Sequence, residues 1–387
     1  MKRISNIKES DIHKLNYLVS PEISEMKKKM TMFVRGIRRN AISKSVKNNF
    51  PQSVKYDFVL FGGRIRQRKR IVLLPPACSV ATCTMCPLPN EAADKNARKI
   101  CAKDIIRQID AAFENEQLKD YEIVTVYSNS NFFADQDMPI SARQYIYRRV
   151  RKSPASILVV ESLPHFITQE KISEAKKILK NKILSVALGL QSANDEIREL
   201  AINSMCTKRS FRNVVGLLKK NGFWVHAFLM LKPPFLLEKE AIDDTISSVK
   251  YLLSLGIIDS IICPTRVAPY TVVEKLYIQK RFNPPWLWSI VDVLLKCAAE
   301  VPKTNPRITI SELLPDNNNS VYAKNCKKCT KRIIGAISEY NTTRDIRILT
   351  DLDCKCRKDY KKFLKRELSN WKDIPIKKRV AEFLCIA

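Results

Sequence analysis

Three cysteines, Cys78, Cys83 and Cys86, stand within nine residues in the stretch ACSVATCTMCP, directly after the apolar run IVLL. Thiolates so spaced bind metal, and their number narrows which kind. A structural zinc takes four protein ligands in a closed tetrahedron. No histidine lies near enough in sequence to be the fourth, because the chain's three are at positions 13, 165 and 226. A [4Fe–4S] cluster is usually held by four thiolates, so three leave one iron open, and an open iron is chemically useful.

A second set lies near the C-terminus, Cys326-x2-Cys329 and Cys354-x-Cys356. Four thiolates in two close pairs suit a structural zinc, with an auxiliary iron–sulfur cluster as the alternative. The remaining cysteines, at 101, 206, 263, 297 and 385, are scattered and read as small buried hydrophobes. The N-terminal stretch MKRISNIKESDIHKLNYLVS has no apolar h-region, and no run of about 18 apolar residues occurs. Neither export nor a membrane span is expected, so we expect a cytoplasmic protein without a disulfide framework.

The elements that must position these thiols read as β-rich runs alternating with amphipathic ones. The strand expectations are 71–76, 121–128, 156–162, 183–192, 224–231 and 260–267. Runs such as AKDIIRQIDAAFENE and EKEAIDDTISSVKYLLSLG between them carry helical periodicity. Apolar strands each followed by a helix mean parallel βα units buried on both faces. A barrel and a doubly wound sheet both fit, and both place chemistry at the C-terminal ends of strands. The thiol loop follows the first strand. Polar residues mark later strand ends: Ser128 and Asn129, Glu161, Gln191, and Lys232 in LKPPF. We expect a basic helical extension at 1–65, the βα core at 66–302 and a basic four-cysteine module at 303–387.

Lysine and arginine total 68 against 39 acidic residues, a net charge of +29. Such an excess points to a polyanion, nucleic acid above all. Basic runs at Lys27–Lys29, Arg64–Arg70 and Lys377–Arg379 are compatible with this and equally with solvated faces.

The thiol loop resembles the cluster loop of the radical S-adenosylmethionine (SAM) superfamily, with one residue more in its first gap. The resemblance implies a partial (βα)6 TIM-like barrel. It also implies a [4Fe–4S] cluster whose fourth iron takes the amino and carboxylate groups of SAM. An electron donor such as ferredoxin or flavodoxin would drive cleavage to a 5′-deoxyadenosyl radical. Ser128-Asn129-Ser130 stands where the superfamily often has Gly-Gly-Glu, so backbone and hydroxyl groups would serve the SAM amino group. Glu161 and Gln191 would bond the ribose or methionine part, and Arg198 the SAM carboxylate. VVESLPHFIT, GLQSANDEIRE, FLMLKPPFLLEKEAIDD and FNPPWLWSI resemble the radical SAM enzymes of archaeosine synthesis. These act on tRNA with a partner that attaches lysine to a deazaguanine base. They cleave a C–N bond of that lysine adduct. Lys232 would face this substrate, while Trp286 and Trp288 read as packing. The chain has only 8 glycines, which leaves open a radical SAM enzyme acting on a small molecule or peptide. A non-catalytic RNA-binding metalloprotein is the third reading.

Overall fold

The computed structural model describes residues 20–39, 49–74, 76–91, 100–114, 120–301, 306–311, 313, 319–371 and 374–386. Helical expectations for 1–19 and 40–48 lie outside the described residues. The first described element is helix α1 (Pro21–Arg39), which buries Met26, Met30 and Val34 along one face. Strands β1 (Ser53–Phe61) and β2 (Arg64–Val72) follow as an antiparallel hairpin. Gly62 and Gly63 form its two-residue turn with φ of 61° and 85°, a conformation that favours glycine.

From β2 onward every pairing is parallel and sequential. The strands are β3 (Ile123–Tyr127), β4 (Ile157–Ser162), β5 (Ile183–Gln191), β6 (Trp224–Leu231), β7 (Asp259–Pro264) and β8 (Arg307–Ile310). Among the described residues the main helices of the crossovers between them are α2 (Ala102–Glu114), α3 (Ile140–Lys152), α4 (Gln169–Leu179), α5 (Lys208–Lys220), α6 (Glu238–Ser254) and α7 (Leu287–Glu300). Such crossovers suit runs like IVTVY and ILVVES, whose strands are buried almost throughout. Thr207 caps α5 by accepting from the Ser210 amide, and Ser210 Oγ accepts in turn from the Thr207 amide.

The sheet curls. Phe61, at the end of β1, stacks on Trp224 of β6 with ring centroids 5.7 Å apart, and meets His226 edge-on. With Val59, Ile123, Ile157, Val159 and Ile183 they fill the lumen at the N-terminal ends of the parallel strands. Burial holds His226 neutral, with its pKa lowered to about 4. The barrel stays open, because β1 and β8 are the two edges of the sheet. Helix α8 (Thr330–Thr343) packs against both. Its Asn341 accepts from the Ile310 amide at 2.9 Å and donates to the Ile310 carbonyl at 2.8 Å, as a further strand would. Helices α9 (Cys356–Trp371) and α10 (Ile376–Ile386) complete the fold. Arg379 of α10 reaches Glu240 with two hydrogen bonds, of 2.7 and 2.8 Å.

The α/β partial barrel expected from the sequence is the architecture found, with two strands more than the periodicity showed. β1 lies inside the stretch read as helical, and the expected boundary at 65/66 falls within β2. The run RIRQRKR is not a solvated basic face: it is β2 itself. Among the described residues no helix is long and apolar enough to cross a membrane.

Candidate active site at the barrel mouth

The thiol loop leaves the C-terminal end of β2 and is tied down from four directions. Asp137 accepts from the Ser79 amide at 2.9 Å, and from the Asn131 amide and side chain at 3.0 Å each. Asn131 Nδ2 also points at Cys78 Sγ, 3.4 Å away, while its Oδ1 accepts from the Leu163 amide. Behind the loop, the Thr84 amide bonds the Ile202 carbonyl at 3.0 Å and its hydroxyl the Ala201 carbonyl at 2.7 Å. Asn203 exchanges bonds with Thr82 and donates to Thr31 of α1.

Arg38, at the end of α1, closes the fourth side. Its guanidinium donates to the carbonyls of Ala81, Cys83 and Cys86, the last two at 2.8 Å. Lys27 on the same helix bonds Glu199 and the Ser204 carbonyl. Ala81 and Asn203 hold positive φ, of 45° and 55°. Each such residue without glycine costs about 1 kcal/mol or more, so the surrounding bonds must hold it.

Burial, and then the charge of Asp137, push the Cys78 thiol up to about 12. Burial and then Cys78 push Cys83 to about 11, with Arg38 pulling the other way. The bare loop therefore keeps these two thiols protonated, and bound iron would have to displace the protons. Three such thiols on one anchored loop fit an iron–sulfur cluster with one iron free of protein ligands.

The predicted SAM contacts, and Lys232 as the predicted substrate-facing residue, separate into two groups. Ser128, Asn129, Glu161 and Gln191 come together around the mouth. The backbone amides of Ser128 and Asn129 point at the Glu161 carboxylate, with the Ser128 amide at 3.3 Å. Burial outweighs these bonds and raises the Glu161 pKa to about 7. Gln191, with φ of 70°, points Nε2 at Cys83 Sγ from 3.9 Å. Its Oε1 is buried with no hydrogen-bond partner among the described residues. An orphaned buried acceptor beside a cluster cysteine suits a ligand that donates there.

Arg198 and Lys232 do not join them. Arg198 is 1% exposed and donates to the Cys206 carbonyl at 2.7 Å, the Ser192 carbonyl at 3.0 Å, and Asp195. It fixes the turn after β5 and is enclosed there, away from the surface a SAM carboxylate would reach. Lys232 Nζ lies 2.6 Å from Glu238 Oε2, both side chains fully enclosed. Glu238 also accepts from the Trp286 amide and Ser289, so Lys232 is the counterion of a buried carboxylate and does not face a substrate.

Sequence reasoning missed the polar wall of the lumen. Lys69 and Ile71 of β2 face the helices, Lys69 lying over the Phe113 ring of α2. Arg66, Arg68 and Arg70 therefore line the opposite, lumen face. Arg68 forks onto Asp57 with two bonds of 2.7 Å. The period-2 recurrence of arginine at 64, 66, 68 and 70 was the available signal.

The second thiol set forms a separate centre. The Sγ atoms of Cys326, Cys329, Cys354 and Cys356 all lie within 4.8 Å of one another, with three contacts of 3.5–3.6 Å. Four sulfurs bound about 2.3 Å from one tetrahedral ion stand about 3.8 Å apart, so this spacing fits a single metal. The thiolates of a four-iron cube stand further apart. Cys329 precedes α8, Cys356 opens α9, and Trp288 Nε1 donates to Cys356 Sγ at 3.3 Å. Trp288 is fully buried, as packing required, and also joins barrel to module.

A thiol loop at the C-terminal mouth of an open parallel barrel places the protein in the radical SAM class. No family model matches the chain. It is 31% identical over 309 residues to an uncharacterised protein of Methanocaldococcus jannaschii, covering 78% of this chain and 82% of the relative. It is 29% identical over 293 residues to archaeosine synthase subunit beta of Methanosarcina acetivorans (74% and 80% covered). Identity to the Thermococcus kodakarensis protein of the same name is 26% over 298 residues (75% and 88% covered). The chain belongs to the family these archaeal proteins form, that of archaeosine-synthase-like radical SAM proteins. Among solved structures, archaeal Elp3 of Methanocaldococcus infernus aligns over 64% of this chain and 59% of its own, with a TM-score of 0.44 at 14% identity. Methylornithine synthase aligns over 92% and 96%, with a TM-score of 0.42 at 11% identity.

Proposed function

We propose that the chain is the radical-generating subunit of an archaeosine synthase, cleaving a C–N bond of a lysine adduct on a deazaguanine base in tRNA. The observation that carries this reading is the meeting at one barrel mouth of Cys78, Cys83 and Cys86 with the buried, partnerless Gln191 Oε1. The named relatives support the choice of substrate. A [4Fe–4S] cluster bound there supplies one-electron cleavage of SAM and hydrogen-atom abstraction. The three thiolates hold it, Gln191 Oε1 and the Ser128 hydroxyl accept from SAM, and Glu161 faces it close to its titration point. Asn131 and Arg38 fix the loop.

Cys326, Cys329, Cys354 and Cys356 hold zinc in this proposal, which the single-ion spacing supports. In this proposal a basic arm, the catalytic barrel and a zinc-stapled module fall near 1–65, 66–302 and 303–387, with β1 and β8 of the two flanking stretches completing the barrel's sheet. The net charge of +29 suits tRNA as direct partner. A lysine-transferring subunit makes the substrate, and a ferredoxin or flavodoxin in the cytoplasm supplies electrons. The test is anaerobic incubation of reconstituted protein with SAM, a reductant and tRNA bearing the lysine adduct. Archaeosine in the nucleoside digest with matching 5′-deoxyadenosine supports the proposal. 5′-Deoxyadenosine that does not respond to the tRNA contradicts the substrate, and none at all contradicts the chemistry.

A further inference from the structure

The face of β2 that lines the lumen carries more positive charge than its neighbours neutralise. Arg64 and Arg66 share Glu122, and Arg68 occupies both oxygens of Asp57. Among the described residues four guanidiniums of β2 thus meet two carboxylates, and Arg70 is the one that hydrogen-bonds neither. Its Nε lies 3.9 Å from Asp57 Oδ2, too far for a hydrogen bond, and is buried with no hydrogen-bond partner among the described residues. Other described lumen-side arginines are engaged: Arg307 forks onto Asp259, and Arg344 bonds the Ile308 carbonyl and Thr309.

Two further observations converge on the same spot. Thr125 is the register partner of Arg70 on β3, and its Oγ1 is fully buried without a hydrogen-bond partner. Arg70 sits two residues before the end of β2, about 7 Å below the rim where the thiol loop begins. Its side chain lies on the lumen face of β2 and is 24% exposed, which leaves room for a ligand beside the guanidinium.

We propose that Arg70, with Thr125, forms a carboxylate-binding subsite in the lumen that takes the carboxylate of an α-amino acid. The planar guanidinium fork matches that group, and the uncompensated charge of the β2 face favours an anion there. Two molecules could bring it: the lysine moiety of the tRNA adduct, or the methionine moiety of SAM. The depth below the rim favours the lysine, and in that form the inference rests on the function proposed above.

The test uses cluster-loaded full-length protein, wild type, Arg70→Gln and Arg70→Lys. One arm measures SAM affinity by equilibrium dialysis. The other compares KM for tRNA bearing the lysine adduct with tRNA bearing a cadaverine adduct, which lacks only the carboxylate. We expect wild type to favour the lysine adduct about 10- to 100-fold and Arg70→Gln to lose that preference, with Arg70→Lys restoring part. A similar loss of SAM affinity, with the preference intact, keeps the subsite and assigns it to SAM. If neither quantity moves, the subsite is overturned. If wild type turns over neither tRNA, the tRNA reading fails and the SAM arm alone decides. Should Arg70→Gln lose its cluster, Arg70→Lys, which retains the charge beside Asp57, carries both arms.

Discussion

Replacing Arg38 by alanine removes the guanidinium that bonds the carbonyls of Ala81, Cys83 and Cys86. Hydrogen bonds to charged groups are each worth about 1.5–3 kcal/mol net, and three on one side chain are not additive. A loss of about 3 kcal/mol is therefore expected for the closed loop, or about two orders of magnitude in its opening constant. The damage should stay local, because α1 remains docked through Met26, Met30, Val34 and the Lys27–Glu199 pair. Hydrogen exchange read on the peptide spanning 78–86 measures it directly, since the Thr84 amide is bonded to the Ile202 carbonyl in the closed loop. Protection there should fall about 100-fold while the strands keep theirs, and iron uptake should fall with it. Arg38→Lys, with a point charge in place of the fork, should recover only part. Unchanged loop protection in Arg38→Ala would refute the clamp.

Three other perturbations test separate parts of the structure. Glu161 keeps its proton up to about pH 7 when folded and loses it near 4.5 when unfolded, so its contribution to stability declines as pH rises through that window. Glu161→Gln should gain about 3 kcal/mol relative to wild type between pH 4.5 and 7 in urea unfolding of the metal-free protein, and a flat difference would count against a buried carboxyl. Trp288→Phe removes the donor to Cys356 Sγ and keeps most of the ring, so chelator competition should show about tenfold weaker metal binding at the four-cysteine centre. Lys232→Met leaves Glu238 buried without its counterion and should cost about 3–5 kcal/mol in thermal unfolding. Adding Glu238→Gln should return most of that; no recovery would mean the pair is not the reason Lys232 is enclosed.

The parallel strands were legible because burial on both faces makes them continuous apolar runs. β1 was not: its residues are half-exposed and include Lys55 and Asp57. β8 has four residues, too few for periodicity to show. The thiols were legible from spacing alone, since metal chemistry fixes ligand number. Their support was not, because Arg38 lies 43–48 residues from the carbonyls it bonds, and Asn203 lies 121 residues from Thr82. The arginines of β2 look the same in sequence whether water or carboxylates surround them; only the fold brings Asp57 and Glu122 alongside. Arg198 and Lys232 are the opposite case. Their partners Asp195 and Glu238 are three and six residues away, so local pairing was the available warning.

The central claim is that this chain carries two metal centres of different kinds, an open-iron cluster at the barrel mouth and a single ion in the C-terminal module. Iron, sulfide and zinc analysis of anaerobically purified wild type, Cys83→Ala and Cys329→Ala tests it most directly. About four irons, four sulfides and one zinc are expected per wild-type chain. Cys83→Ala should lose the iron and sulfide alone, and Cys329→Ala should lose the zinc. Zinc without iron in the reconstituted wild type, or iron that survives Cys83→Ala undiminished, would contradict it.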